Sequence, residues 1–98
     1  MAIGIHIVIK GGILLKLIET VINHKVNNIT GDELLKIGKQ FNISITKQQA
    51  DEIAKYLRGK NINIFDHQDR SKVIKEIAKI TNPKTAKKVN ELFLLFMN

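Results

Sequence analysis

The sequence contains no cysteine and no tryptophan, and only one of its 98 residues is proline. Without cysteine the chain can form no disulfide, thiolate nucleophile, iron–sulfur cluster or cysteine-based zinc site. It also lacks a glycine-rich phosphate loop, a nucleophile elbow and an HExxH pattern, and its three histidines, His6, His24 and His67, are far apart in the sequence. We therefore expect no catalytic activity, no cofactor and no bound metal.

The composition is that of one small globular domain. Hydrophobic residues make up 44% of the chain and charged residues 26%, a composition too apolar for a disordered chain. At 98 residues the chain is also too short to form two hydrophobic cores. Residues 1–12 differ from the rest because they are mostly apolar without a helical period, with Lys10 near their end. They match neither an export signal nor a membrane span. Two interpretations stay open for this leader, a mis-assigned start codon and a short strand or arm; residues 13–98 form the single helical domain.

Helical signals begin at residue 13. Apolar residues recur there at steps of three and four, which predicts a helix over 13–25. Its stripe is expected to face the core and consists of Leu14, Leu17, Ile18, Val21 and Ile22. Two capping boxes follow at 30–33 and 46–49, and they predict a second helix to about Phe41 and a third that ends at Arg58-Gly59.

Two further helices complete the pattern. Asp66, with Asp69 three residues later, marks the start of a fourth helix, and Asn82-Pro83 marks the start of a fifth, because asparagine caps a helix and proline fits its first turn. Gly38 in the second helix is expected to allow the close approach of a neighbour. The expected fold is therefore all-α, with about five helices.

The loops add an internal symmetry. A helix, a polar loop with one β-like isoleucine and a capped helix occur around Ile29 and again around Ile64. This resembles a pair of EF-hands, in which two helix–loop–helix units share a minimal two-stranded bridge, here Ile29 with Ile62 or Ile64. Neither loop carries acidic residues at the leading ligand positions, so the likeness is to a degenerate pair without calcium. An ordinary helical bundle with coinciding caps is the open alternative.

Several segments are also similar to a known family. They are Ile29 to Leu35, Ile45 to Leu57, Asn63 to Asp66, and Ile74 to Thr81. Together they resemble an uncharacterised small-protein family of Bacillus-type Firmicutes, a domain of unknown function, over roughly residues 15 to 95. The resemblance implies a cytoplasmic bacterial protein, and it transfers no activity and no catalytic residue.

The positive charge is concentrated in one half of the chain. The segment from Lys55 to Lys88 holds ten basic and three acidic residues, so it alone accounts for the formal net charge of +7. A solvated lysine-rich face is one interpretation, and a surface for nucleic-acid phosphates is the other. The residues that would contact phosphates are Arg70, Lys72, Lys75, Lys79, Lys87 and Lys88.

The last helix is apolar on most of its sides, which is typical of a partner contact. Its candidate contact residues are Leu92, Phe93, Leu95, Phe96 and Met97. From these features the sequence predicts a non-catalytic protein–protein interaction module, whose partner is another protein or a second copy of the chain and not a membrane. Nucleic-acid binding through the basic surface at 55–88 is the alternative.

Overall fold

The computed structural model describes residues 11–95, and these form five α-helices without any strand. The helices are α1 (Gly11–Asn27), α2 (Gly31–Gln40), α3 (Lys47–Leu57), α4 (His67–Ile80) and α5 (Pro83–Leu95). The all-α prediction is confirmed, and each helix lies within a few residues of its expected place. The predicted leader lies outside the described residues except for Gly11-Gly12, which open α1.

Both predicted capping boxes are present. The Thr30 hydroxyl accepts a hydrogen bond from the Glu33 N–H at 3.2 Å, and the Glu33 carboxylate accepts one from the Thr30 N–H at 3.0 Å. Thr46 and Gln49 repeat the same exchange at 3.1 and 2.9 Å. Because each box satisfies donors that a helix start leaves unpaired, α2 and α3 have fixed N-termini.

The remaining boundaries follow the predicted signals. The Asp66 carboxylate accepts from the Asp69 N–H at 3.0 Å to start α4, and the Asn82 side chain accepts from the Thr85 N–H at 2.8 Å to start α5. After α3, Gly59 adopts a φ of 74°, a left-handed conformation that costs glycine little. The chain therefore turns sharply away from α3 toward α4.

The core is built around α3, with two tight helix pairs. Helix α2 packs along α3, α5 packs along α4, and α3 contacts α4. The four residues predicted to face the core from α3, Ala50, Ile53, Ala54 and Leu57, are all at most 3% exposed. Val73 and Ile77 of α4 complete the centre with Ile64, which is fully buried in the loop before α4.

The predicted two-stranded bridge is wrong for the described residues, because Ile29 pairs with neither Ile62 nor Ile64. Instead, the Asn27 side chain accepts a hydrogen bond from the Ile62 N–H at 2.8 Å and donates one to the Ile62 carbonyl at 2.8 Å. Helix α1 continues to Asn27 and the next helix is capped at Thr30, so too little extended chain remains to pair. The amide of asparagine carries the same donor and acceptor as a peptide group and takes its place.

The prediction that the whole α1 stripe faces the core is also wrong. Leu17 is 60% exposed, Ile18 44% and Val21 68%, whereas Ile22 and Val26 pack against the core. Of the other helices, α1 closely approaches only α3. The core is already filled by α3 and α4, so α1 reaches it only with its C-terminal half.

The projecting helix gives the molecule an elongated shape. Its radius of gyration is 14.9 Å, against about 13 Å for a compact domain of this length. We name the apolar side chains that α1 leaves in solvent the exposed α1 face, and they are Leu15, Leu17, Ile18 and Val21.

Candidate partner-binding groove

An open apolar groove runs between α1, α2 and α5. It has a volume of about 420 Å³, and its floor is formed by the core residues Ile53, Leu57, Ile64 and Ile77. One wall is the C-terminal half of α1 and the others are α2 and α5. All five helices thus contribute to the groove, which remains open to solvent on one side.

The α2 wall depends on a close approach at Gly38, as the sequence predicted. The Ile43 N–H donates to the Gly38 carbonyl at 2.7 Å, and a Cβ added at residue 38 would lie only 2.7 Å from the Ile43 carbonyl oxygen. Between them Asn42 takes a φ of 57°, which asparagine tolerates better than most residues. This tight turn folds Ile43 under α2 and leaves Phe41, 48% exposed, at the rim of the groove.

The groove carries one charged group among its described lining residues. This residue is Lys25, and its ammonium group donates a hydrogen bond to the Glu33 carboxylate in an ion pair. That hydrogen bond, followed by the one from the Thr30 N–H, lowers the pKa of the Glu33 carboxyl below its ordinary value. The carboxylate is therefore charged at neutral pH and neutralises the lysine, so the groove has no net charge.

The structure brings part of the predicted C-terminal contact set to this groove. Leu92 and Phe93 line it, and Leu92 also borders a smaller adjacent hollow with Phe41 and Leu95. Leu95 itself is 65% exposed. The other two predicted contact residues, Phe96 and Met97, lie outside the described residues.

The contact residues predicted from the sequence all lie between positions 92 and 97, and the α1 and α2 residues that line the groove were not among them. The available signal was the apolar stripe of Leu34, Ile37 and Phe41, which recur at steps of three and four along α2 and at its C-cap. In the structure Leu34 and Ile37 are half-buried and line the groove beside Phe41. A stripe of this kind leaves an open apolar surface when the neighbouring helices do not cover it.

The predicted phosphate-contacting residues divide into two groups. Lys72, Lys75 and Lys79 are exposed along one face of α4, and Lys87 and Lys88 are exposed on α5. Within residues 11–95 none of these five lysines forms an ion pair, although Lys88 donates to the Asn42 carbonyl at 3.4 Å. They therefore leave a surface of uncompensated positive charge.

Arg70 has a different environment from these lysines. It is half-buried, and its guanidinium donates to the Ile64 carbonyl at 3.1 Å. Ile64 is itself completely buried, so the arginine satisfies a carbonyl group that water cannot reach. The side chain is therefore engaged in holding the loop before α4.

Between residues 11 and 95, no three histidine or acidic side chains are grouped closely enough to hold a metal ion. No helix in the same range has the length and apolarity needed to cross a lipid bilayer.

The fold and the groove define a small all-helical protein with an open apolar surface. The chain belongs to the family described as "Protein of unknown function (DUF2624)", which matches residues 15–97. It is 45% identical over 80 residues to the uncharacterized protein YqfT of Bacillus subtilis (strain 168), covering 82% of this chain and 95% of that protein. The predicted resemblance to an uncharacterised family of Bacillus-type bacteria is confirmed. No solved structure matches the chain, and the likeness to an EF-hand pair stays a prediction.

Proposed function

We propose that this protein is a non-catalytic protein–protein interaction module and that the apolar groove is its docking surface. The observation that carries the proposal is the groove itself, about 420 Å³ of apolar space that remains open beside a well-packed core. Val21 and Phe41 at its edge are 68% and 48% exposed. Apolar surface of this kind lowers its free energy by binding an apolar partner.

The chemistry of the lining favours a helical segment over a small molecule. A small-molecule site orients its ligand with a few convergent polar groups. In this groove the one charged group among the described lining residues, Lys25, already forms an ion pair with Glu33. A groove walled by helices fits the apolar face of an amphipathic helix, whose anchors recur every three or four residues. Affinity would come from apolar burial, with little dependence on salt.

Site-specific photocrosslinking in cells tests this proposal. A photoreactive amino acid replaces Phe41 in the groove, and the matched control carries it at Lys75, exposed on the outer face of α4. We expect protein adducts, with another protein or with a second copy, at position 41 and far fewer at position 75. Equal adduct yields at the two positions, or none at position 41, would refute the groove as the docking surface.

Nucleic-acid binding is the second candidate, favoured by the lysines of α4 and α5 that form no ion pair with another residue between 11 and 95. Lys72, Lys75 and Lys79 share one face of α4, a spacing that suits successive phosphates. Fluorescence anisotropy with single-stranded and duplex oligonucleotides tests it. Binding should weaken steeply as the salt concentration rises, because the counterions that the protein displaces from the phosphates then gain less entropy on release. Charge reversal of these three lysines should abolish binding, while reversal of Lys36 and Lys39 on α2 should not. Absence of binding even at low salt would remove this candidate.

A further inference from the structure

We propose that the occupant of the groove is a second copy of this chain, with the exposed α1 face of each protomer packed into the groove of the other. The inference rests on the proposed function, because it names the partner of that same groove. The resulting dimer would be symmetric, with the two α1 helices antiparallel around a twofold axis near Val21.

The apolar side of α1 is left uncovered by the rest of residues 11–95. Leu15, Leu17, Ile18 and Val21 are 59%, 60%, 44% and 68% exposed. Among the other helices of residues 11–95, their helix approaches α3 alone, through its C-terminal half. Apolar residues at helical spacing normally form a buried stripe, and within the described protomer this stripe has nothing to cover it.

The exposed α1 face is continuous with the groove. Val21 belongs to both, since it is the most exposed residue of the face and also lines the groove. A twofold axis at this residue would set the N-terminal half of one α1 beside the C-terminal half of the other, which is a groove wall. Each copy then supplies one helix and one groove, the self-complementary arrangement that a closed dimer requires.

The distribution of charge also favours contact between copies through the exposed α1 face and the groove. The chain carries a formal charge of +7, so two copies repel each other wherever their basic surfaces meet. The exposed α1 face avoids this, because the charged residues within its span are Lys16 and Glu19, of opposite sign. In the groove, Glu33 neutralises Lys25. Contact through these surfaces keeps the lysine-rich faces of α4 out of the interface, whereas an acidic partner would be drawn to those faces.

The exposed apolar residues are sufficiently concentrated for such an interface. A stable dimer needs about 800 Å² from each partner, roughly a ninth of the 7033 Å² accessible surface of this protomer. Five of the seven large hydrophobic residues classed as exposed lie on the exposed α1 face or in the groove. The other two, Leu94 and Leu95, are adjacent at the end of α5.

Sedimentation equilibrium of the full chain tests the dimer. We expect a monomer–dimer equilibrium and at least about a thirtyfold weaker dimer for Leu17→Glu and for Val21→Glu, because each buries a charge in an apolar contact. Both residues are mostly exposed in the protomer, so far-UV circular dichroism should show that both variants remain folded. Thr20→Glu is the matched control: Thr20 is also exposed on α1 but is not one of the residues of the exposed α1 face, and its hydroxyl donates a hydrogen bond to the Lys16 carbonyl. A monomer at high protein concentration, or equal effects of all three substitutions, would overturn the proposal.

Disulfide trapping gives a second measurement, because the chain has no cysteine of its own. In the proposed dimer Val21→Cys places two thiols near the twofold axis, and mild oxidation should produce a covalent dimer much faster than with Lys75→Cys. If Leu95→Cys forms the covalent dimer and Val21→Cys does not, the copies associate through α5 and the proposal is wrong. A monomeric chain that still photocrosslinks to another protein at position 41 would overturn the dimer alone and leave the proposed function standing.

Discussion

Replacing Asn27 by alanine removes the side chain that joins the end of α1 to the loop before α4. Its amide exchanges two hydrogen bonds of 2.8 Å with the backbone of Ile62. Ile62 is only 8% exposed, so water has limited access to the N–H and carbonyl groups that Asn27→Ala leaves unpaired. In this variant Asn23 still links helix α1 to the loop, because its side chain accepts a hydrogen bond from the Ile64 N–H at 3.0 Å.

The expected loss follows from those two bonds. A hydrogen bond contributes about 1 kcal/mol net to folding, and a buried polar group left unpaired costs about 2 kcal/mol. The free energy of unfolding should therefore fall by about 2 kcal/mol if water reaches the freed groups and by about 4 kcal/mol if it does not. For a domain of this length that corresponds to a decrease in Tm of at least about 8 °C.

Urea unfolding followed by circular dichroism measures this loss, with Asn28→Ala as the matched control. Asn28 is exposed, and its side chain makes one hydrogen bond, to the His24 carbonyl of its own helix, so the control should lose less than about 1 kcal/mol. Equal stability of the two variants would refute the reasoning.

Asn27→Asp provides an internal check through pH. The ionised carboxylate keeps the bond from the Ile62 N–H but faces the Ile62 carbonyl, so the folded pKa of the introduced carboxyl rises above about 3.9. Stability from the protonated form is then present at low pH and is lost as the pH rises through the folded pKa. The deficit relative to the native chain should therefore shrink in acid; a deficit independent of pH would contradict the proposed geometry.

Three further predictions follow from the fold. Gly38→Ala should lower the free energy of unfolding by more than about 1 kcal/mol, although replacing glycine by alanine normally stabilises a helix. The reason is that the new Cβ meets the Ile43 carbonyl oxygen. A gain in stability, measured by urea unfolding, would contradict the close approach. Lys25→Gln should destabilise the protein at neutral pH but not in acid. The ion pair with Lys25 lowers the pKa of Glu33, so its contribution to stability is present above the unfolded pKa of about 4.3 and is lost as the pH falls through the folded pKa. A pH-independent difference in thermal unfolding would instead assign the Lys25 effect to packing. Millimolar calcium should leave Tm unchanged, and a shift of several degrees that a chelator reverses would overturn that expectation.

The features that the sequence predicted correctly are local ones. Thr30 and Thr46 mark helix starts because each bonds to a residue three positions later, an interaction contained in a short sequence pattern. The same holds for Asp66 and Asn82. The buried stripe of α3 was also predictable, since a helix surrounded by others must bury its apolar face whatever the details of its neighbours.

The features that could not be predicted depend on contacts between distant parts of the chain. Asn27 bonds to Ile62, 35 positions away, and nothing in the local pattern names that partner. Arg70 stands among exposed lysines in the sequence, and only the fold places it against the carbonyl of Ile64. The apolar period of α1 showed that the helix has an apolar side, but it did not specify which surface covers that side.

The attachment of α1 has a consequence for how the protein moves. Its polar links to the loop before α4 are side-chain bonds from Asn23 and Asn27, and its apolar links are a few residues at one end. A helix held in this way opens as a unit at a lower free energy than the rest of the domain, so its amide hydrogens should exchange with solvent faster than those of α3. Each opening would separate Ile22 and Val26 from the core against which they pack. The rate of this opening therefore sets how often that apolar contact meets solvent.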